Sequence, residues 1–129
     1  MAERYLTDTS AVIKYLNQTF SVAAIKFIDN LLTTESNISF ISEIELQVWK
    51  PLNEDDLVVY QKFVAASNVY GINKDIISKT IELRRDHKLK IADAIIAATA
   101  LVNDLTLIAD NDKDFLKVPS LQYMNPRNI

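Results

Sequence analysis

The 129-residue sequence has no cysteine, one glycine and one histidine. Without cysteine, the chain forms neither a disulfide framework nor a thiolate metal site. A single glycine excludes the glycine-rich loops that cradle phosphates in nucleotide-binding proteins. A single histidine excludes a metal site built from several imidazoles. Any metal site in this chain is therefore expected to use oxygen ligands.

The sequence also lacks long apolar runs and an excess of basic charge. No apolar run approaches the ~18 residues that span a bilayer, and the N-terminus lacks the pattern of a signal peptide. We therefore expect a soluble, cytoplasmic protein with no membrane partner. The net charge of −3 argues against a general nucleic-acid coat, although a nuclease with a local acidic site remains compatible with it. With 49% apolar residues, the chain can build one core, so we predict a single domain over residues 1–129.

Strand-like and helix-like segments alternate along the chain. We predict strands at residues 4–8, 37–41, 68–72, 105–109 and 121–124. We predict helices at residues 10–17, 22–32, 42–49, 54–66, 74–86 and 91–103, and a helical turn at 111–116. The predicted N-caps are Ser10, Ser42, Asn53 and Asn73, and Pro51 is predicted to end the third helix. This alternation predicts an α/β sandwich around a mostly parallel sheet.

Acidic and amide side chains fall near one edge of this predicted sheet. Asp8 ends the first strand, and Glu45 is predicted in the first turn of the helix after the second strand. Asp93 begins an alanine-rich helix whose small residues favour close packing on the sheet. A polar run follows the strand at 105–109 and consists of Asp110, Asn111, Asp112 and Asp114. Because ligands bind at the carboxyl ends of parallel strands, these side chains are expected to lie close together.

Converging carboxylates repel one another unless a cation or a proton intervenes. With oxygen ligands only, Mg²⁺ or Mn²⁺ is favoured over Zn²⁺. Such a site suits phosphodiester hydrolysis, because the metal activates water and stabilises charge on the phosphate. The residues alone therefore favour a metal-dependent hydrolase.

Each feature also has a simpler explanation when it is taken alone. Asp8 is suited to cap a helix, and Glu45 and Asp93 are suited to favour the positive end of a helix dipole. The run from Asp110 to Asp114 is also typical of a turn. These alternatives stay open individually, but together they require four such features to meet at one sheet edge by chance.

Four blocks, YLTDTSAVIKYL, ISFISEIELQVW, IADAIIAATAL and LIADNDKDF, occur in the order and spacing of the PIN-domain ribonucleases. The sequence resembles this family over nearly its whole length, and within it the toxin components of VapBC toxin–antitoxin pairs. The resemblance implies a three-layer PIN-like sandwich with a central sheet of about five strands. It also implies an endoribonuclease that requires Mg²⁺ or Mn²⁺. The implied partners are an RNA substrate, a second copy of the chain in a homodimer and a cognate antitoxin.

The resemblance also implies the site. The positions that match the family's catalytic and metal-binding residues are Asp8, Glu45, Asp93 and Asn111. Ser10 matches a supporting polar position, and Asp112 and Asp114 remain alternatives for the fourth ligand. Ala109 stands where a threonine is common, which weakens the expected ordering of the fourth position. Residues 49–51 replace a small residue that often follows the second acidic helix.

Basic residues precede Asp93 in the segment LRRDHKLK. Arg84, Arg85, Lys88 and Lys90 form the densest basic cluster of the chain. They are candidates to hold RNA phosphates, although cations are also favourable at the end of a helix for electrostatic reasons.

Two further points concern partners and other functions. The apolar helix at residues 22–32 is a candidate wall for the groove that an antitoxin occupies. A catalytically inactive PIN-like binding module is the main functional alternative. A phospho-aspartate phosphatase is disfavoured, because such enzymes usually carry Asp-x-Asp after the first strand and this chain has Asp8-Thr9-Ser10.

Overall fold

The computed structural model of the protein describes residues 3–48, 50 and 52–129. Its strands are β1 (Tyr5–Thr7), β2 (Asn37–Ser39), β3 (Asn68–Tyr70), β4 (Thr106–Ile108) and β5 (Tyr123–Met124). Its helices are α1 (Thr9–Leu16), α2 (Val22–Thr34), α3 (Phe40–Val48), α4 (Glu54–Ala65), α5 (Lys74–Asp86), α6 (Ile91–Val102) and α7 (Asp112–Phe115), followed by a 3-10 turn at Pro126–Asn128. The predicted alternation of strands and helices is confirmed.

All strand pairs in the described residues are parallel. One ladder has the order β1-β4-β5 and the other pairs β2 with β3. The side-chain amide of Asn37 in β2 donates to the carbonyl oxygen of Tyr5 in β1 at 2.9 Å, so the two ladders lie side by side. The predicted α/β fold class is therefore confirmed. It differs in one detail, because a side-chain bond joins the two ladders where one continuous sheet was expected.

Two apolar clusters form the core. The larger cluster joins β1 and β4 to α5 and α6, and it includes the buried Leu6, Leu107 and Ala97. The smaller cluster joins α1, β2, α3 and α4 through residues such as Val12 and Tyr60. Small side chains on α6 let its backbone approach the sheet closely, which brings the start of α6 to the ends of β1 and β4.

Two helices begin earlier than predicted. Helix α1 begins at Thr9, so Ser10 lies inside the helix and is not its cap. Helix α3 begins at Phe40, directly after β2, because the hydroxyl of Ser39 accepts a hydrogen bond from the amide of Ile41 at 3.1 Å. The predicted cap Ser42 is fully buried instead. These shifts free two serine hydroxyls for contacts near the acidic residues.

The other two predicted caps are confirmed. The side chain of Asn53 accepts from the amide of Asp55 at 3.0 Å, and that of Asn73 accepts from the amide of Ile76 at 2.8 Å. Trp49 and Pro51, which the sequence placed at the end of the third helix, lie outside the described residues. Among the helices of the described ranges, none is long and apolar enough to cross a membrane.

Candidate functional site

Asp8 follows β1 and stands at the N-cap position of α1, and only 6% of it is exposed. Its side chain makes no hydrogen bond of full capping geometry, although the first amides of α1 affect its pKa. Its Oδ2 accepts a hydrogen bond from the hydroxyl of Ser10 at 2.8 Å. Burial raises the pKa of Asp8 to about 6, and Ser10 and the nearby amides of Thr9 and Ser10 offset this only in part. The charge of Asp93 raises it further.

Asp93 is the shared neighbour of the other acids. It lies in the first turn of α6 and is half-buried. Burial raises its pKa, and the charge and hydrogen bond of Asp114 and the charge of Glu45 raise it further, while Lys90 acts in the opposite direction. A helix dipole alone would lower the pKa of an acid at this position. The raised pKa therefore indicates that burial, followed by the neighbouring acids, outweighs the helix dipole at Asp93.

Glu45 reaches the site from α3. Because α3 begins at Phe40, Glu45 lies in the second turn of the helix, and the first-turn position that was predicted for it belongs to Glu43. The Oε1 of Glu45 accepts a hydrogen bond from the hydroxyl of Thr9 at 2.7 Å. The Thr9 hydroxyl is also hydrogen-bonded to Ser42 Oγ at 2.9 Å. The Thr9 hydroxyl therefore holds the exposed Glu45 carboxylate near Asp8, and the Ser42 hydroxyl contacts Thr9 in turn.

The fourth position involves both Asn111 and Asp114. Asn111 caps α7, and its Oδ1 accepts from the amide of Asp114 at 3.4 Å. Its Nδ2 donates to Asp114 Oδ2 at 3.1 Å, which contributes to a lowered pKa for Asp114. The Asp114 carboxylate also lies close enough to Asp93 for each side chain to shift the pKa of the other. The Asp114 carboxylate thus lies near Asp93, and the Asn111 side-chain amide is hydrogen-bonded to that carboxylate.

Asp112 is directed elsewhere. Its Oδ1 accepts hydrogen bonds from the hydroxyl of Tyr123 at 2.6 Å and from Asn125 Nδ2 at 2.9 Å. These two bonds hold the pKa of Asp112 below its ordinary value. The structure therefore does not bring Asp112 to the acids around Asp93. No local sequence pattern indicates Tyr123 or Asn125, because both contacts join β5 and the following turn to the loop after β4.

Asp110 is buried without being part of the acidic group. Its side chain is 5% exposed and forms ion pairs with Lys14 and Arg127, the latter at 3.4 Å. Asn125 Nδ2 also donates to it at 2.9 Å. Burial alone would raise the pKa of Asp110, but the hydrogen bonds from Lys14 and Asn125 bring it below its ordinary value. A partnered aspartate of this kind is part of the framework.

The basic residues surround the site only in part. Arg84, Arg85, Lys88 and Lys90 are all exposed, and none of them forms an ion pair among the described residues. Lys90 precedes α6 and is close enough to Asp93 to affect its pKa. The remaining three lie at the end of α5 and in the segment that leads to Lys90. They present free positive charge on the approach to Asp93.

The donor set fits a hard divalent cation. In the described ranges, no three Asp, Glu or His side chains already stand around one point as metal ligands. The acids instead meet in pairs through Asp93, and no ion pair of this part of the chain involves Asp8 or Asp93. Oxygen donors with uncompensated negative charge are the ligands that Mg²⁺ and Mn²⁺ prefer. Asp114 differs from the other acids, because it forms an ion pair with Lys117 at 3.4 Å. Asp8, Glu45, Asp93 and Asp114 all supply carboxylate oxygens of the kind that such an ion takes.

The sequence profile of the PIN domain matches residues 5–121. The chain belongs to the PIN domain family. A search of curated protein sequences finds no match. The chain is similar to a solved chain of a toxin–antitoxin complex from Klebsiella pneumoniae, with 29% identity, coverage of 95% of this chain and 97% of that chain, and a TM-score of 0.74.

Two further solved structures share the fold. A chain of VapBC2 from Rickettsia felis, bound to a promoter DNA fragment, is 21% identical to this chain. The match covers 94% of this chain and 97% of that chain, with a TM-score of 0.79. A chain of DNA-bound VapBC from Salmonella typhimurium is 24% identical to this chain. The match covers 97% of this chain and 99% of that chain, with a TM-score of 0.77. These similarities and the PIN domain match confirm the PIN-like fold, and the 29%-identical chain belongs to a toxin–antitoxin complex.

Proposed function

We propose that this PIN domain protein is a Mg²⁺- or Mn²⁺-dependent endoribonuclease and the toxin of a type II toxin–antitoxin pair. The observation that carries the proposal is the group of acids around Asp93. Among the described residues Asp8 is buried without a cationic partner, and Asp93 is next to Asp8, Glu45 and Asp114. Burying uncompensated carboxylates costs free energy, so a resident cation is the simplest explanation for their arrangement.

The carboxylates would hold the metal ion as ligands. We assign this role to Asp8, Glu45, Asp93 and Asp114. Asn111, the fourth ligand in the sequence prediction, then acts by orienting the Asp114 carboxylate through its side-chain amide. A bound ion of this kind lowers the pKa of an attacking water and stabilises the charge that develops on a phosphate.

The neighbouring hydroxyls prepare the carboxylates for this role. Ser10 donates to Asp8, and Thr9 donates to Glu45, so both carboxylates are oriented before a ligand arrives. The exposed cluster of Arg84, Arg85, Lys88 and Lys90 supplies positive charge for a nucleic-acid backbone. Contacts of this kind position a phosphate chain without reading its sequence.

Exposed apolar side chains support the proposed protein partners. Helix α4 exposes Val58 and Val59 at 46% and 45%, and Val48 at the end of α3 is 68% exposed. These surfaces suit a chain that packs on another protein, here the cognate antitoxin. Ile77 and Ile81, one turn apart on α5, are also exposed and suit the proposed homodimer. We place the protein in the cytoplasm, where its RNA substrate would be found.

The first test compares Asp93→Asn with Asp104→Asn. Both variants exchange one carboxylate for an amide at opposite ends of the same helix, and Asp104 is exposed. Purified protein with Mg²⁺ or Mn²⁺ should cleave RNA, and Asp93→Asn should lower the rate about a thousandfold or more. Asp104→Asn should cleave like the parent. Equal cleavage by Asp93→Asn and the parent would overturn the proposed metal site.

A second pair, Glu45→Gln and Glu43→Gln, makes the same comparison on α3. Glu45→Gln should lose activity and Mn²⁺ binding, whereas Glu43→Gln should retain both. Mn²⁺ binding is measured directly by electron paramagnetic resonance, and a DNA strand of matched sequence shows whether the activity is specific for RNA. A parent protein that binds no Mn²⁺ and leaves RNA intact would instead support an inactive PIN-like binding module.

A further inference from the structure

The hydroxyl of Tyr123 lies at the centre of the loop that joins β4 to α7. It donates to Asp112 Oδ1 at 2.6 Å and accepts a hydrogen bond from the amide of Asn111 at 3.0 Å. The carbonyl oxygen of Ala109 lies 3.0 Å from the same hydroxyl and competes for its single proton. The aromatic ring packs against Phe115 of α7, with 5.9 Å between ring centroids. One side chain of β5 thus contacts both ends of the loop and the helix that follows it.

The side chain of Asp110 holds another part of this loop through Lys14, Arg127 and Asn125, whereas the amide of Asn111 is held by Tyr123. Ala109 offers no side-chain hydrogen bond, and Asn111 adopts backbone angles of φ −154° and ψ 64° that belong to neither helix nor strand. In this conformation Asn111 caps α7 and contacts Asp114 with both atoms of its amide group. Its backbone amide is the group that Tyr123 binds. The Tyr123 hydroxyl therefore stabilises the conformation that Asn111 needs in order to orient Asp114.

Asn125, two residues after Tyr123, also contacts this loop. Its Nδ2 lies 2.9 Å from both Asp110 Oδ1 and Asp112 Oδ1. Together with Tyr123, it keeps the Asp112 carboxylate on the side of the loop away from Asp93. This arrangement leaves Asp114 as the carboxylate of α7 that contacts Asp93.

We propose that Tyr123 is a positioning residue for the acidic site, because its hydroxyl fixes Asn111 and thereby directs the Asp114 carboxylate to Asp93. The inference rests on the proposed function, since it assigns to Tyr123 a role in the site that binds the cation. Tyr123 touches neither the cation nor the RNA in this role. It acts through the sequence of contacts from Asn111 to Asp114.

The test replaces Tyr123 with phenylalanine and uses Tyr5→Phe as the matched control. Tyr5 begins β1, and its hydroxyl donates to Glu3 just before the strand, so the control removes one hydroxyl hydrogen bond away from the loop. Both variants keep their aromatic rings. The first readout is amide hydrogen exchange in the metal-free protein. In Tyr123→Phe the amides of Asn111 and Asp114 should exchange about fivefold faster, and in Tyr5→Phe they should be unchanged.

The second readout is the dissociation constant for Mn²⁺. Loss of a residue that orients metal ligands typically weakens metal binding by about tenfold or more, so Tyr123→Phe should bind Mn²⁺ about tenfold more weakly than Tyr5→Phe. The effect should vanish in an Asp114→Asn background, because Tyr123 would then have no carboxylate to direct. A general loss of stability would weaken binding in both backgrounds.

The outcomes separate this inference from the proposed function. Faster exchange at Asn111 and Asp114, with an effect on Mn²⁺ binding that requires Asp114, supports the role of Tyr123. Unchanged exchange at Asp114, or the same loss of affinity in both backgrounds, overturns it while the metal site stands. If the parent binds no Mn²⁺, the proposed function fails, and unchanged or accelerated exchange at Asp114 still decides whether Tyr123 orients this residue.

Discussion

Two aspartates with buried side chains lie at the carboxyl ends of neighbouring strands, and their surroundings are opposite. Asp8 follows β1 and Asp110 follows β4, and these strands are paired in parallel. Asp110 has Lys14, Arg127 and Asn125 as partners, and its pKa is lowered. Asp8 has no ion pair in the described part of the chain, and burial raises its pKa to about 6. Ser10 touches both residues, since its hydroxyl donates to Asp8 and accepts from the amide of Asp110 at 3.2 Å.

This difference separates residues that stabilise the fold from residues that serve a ligand. A buried carboxylate with a purely structural role is usually paired with a cationic side chain, as Asp110 is paired with Lys14 and Arg127. Asp8 lies within the same group of elements and lacks one, so its burial costs stability. Sites of function commonly carry such a cost, because the binding of a ligand removes it. The comparison therefore assigns Asp110 to the framework and Asp8 to the proposed cation site.

The largest expected effect is a gain of stability in Asp8→Asn. The folded-state pKa of Asp8, about 6, lies above its ordinary value of 3.8. Folding is therefore favoured by this group at low pH, and that contribution is lost as the pH rises from about 4 through about 6. Above that range, ionised Asp8 costs on the order of 3 kcal/mol in the metal-free protein, which Asp8→Asn should largely recover.

Urea unfolding with EDTA at several pH values measures this prediction. The difference in unfolding free energy between Asp8→Asn and the parent should be near zero at pH 4, grow through pH 6 and level off by pH 8. The side-chain oxygen of the asparagine can still accept the hydrogen bond from the Ser10 hydroxyl, so this contact is retained. A variant that is less stable than the parent at pH 8 would contradict the assignment of Asp8.

A slightly smaller effect is expected from adding the cation to the parent. At a free Mg²⁺ concentration one hundred times the dissociation constant, binding to the folded state alone adds about 2.7 kcal/mol. The parent should gain this stability at pH 8, where Asp8 is ionised. Asp8→Asn should gain much less at the same Mg²⁺ concentration. Equal stabilisation of the two proteins, measured by thermal unfolding, would show that the ion binds elsewhere.

Asp110→Asn should have the opposite sign and a moderate size. The variant loses charge-assisted hydrogen bonds from Lys14 and Arg127, and both cations are partly exposed and can be solvated. We therefore expect a loss of about 2 kcal/mol at pH 7. The pKa of Asp110 is lowered in the folded state. Its contribution to stability is therefore fully present when the pH is above the ordinary aspartate pKa, and it should disappear as the pH falls through the lowered pKa. Urea unfolding at pH 7 and at pH 3 checks the prediction, and a stabilised Asp110→Asn would contradict it.

The succession of strands and helices along the chain was predicted better than the side-chain contacts at the ends of the strands. Alternating apolar segments predicted every strand and helix that the structure describes, because burial imposes a period on each segment. The starts of α1 and α3 were predicted too late, because a serine hydroxyl inside a segment gives no sign of whether it caps a helix or contacts another element. The hydroxyls of Ser10 and Ser42 both make contacts outside their own helix starts.

The proximity of the acids could be predicted from the sequence, whereas their roles stay predictions. The carboxyl-edge rule for parallel sheets places Asp8, the small residues of α6 bring Asp93 to the same edge, and the two side chains are close in the structure. The choice among Asn111, Asp112 and Asp114 depended on Tyr123 and Asn125, which are distant in sequence from that loop. No local pattern specifies such a contact, because it follows from the parallel pairing of β4 with β5.

The smallest expected effect is that of Ser10→Ala, the residue common to both aspartates. The variant loses one hydrogen bond to Asp8 and one from the amide of Asp110, and it should be about 1 kcal/mol less stable at pH 8. The Ser10 hydroxyl lowers the pKa of Asp8, so its removal should raise that pKa above about 6. Carbon-13 NMR of the Asp8 carboxyl group, in the metal-free protein, measures the shift.

Ser78→Ala on the exposed face of α5 is the matched control and should leave the Asp8 titration unchanged. In an Asp8→Asn background, Ser10→Ala should cost less than in the parent, because only the contact with the Asp110 amide remains to be lost. An unshifted Asp8 titration in Ser10→Ala would mean that burial alone determines its pKa. Ser10 would then belong to the framework with Asp110, and the orientation of Asp8 would have to come from the amides at the start of α1.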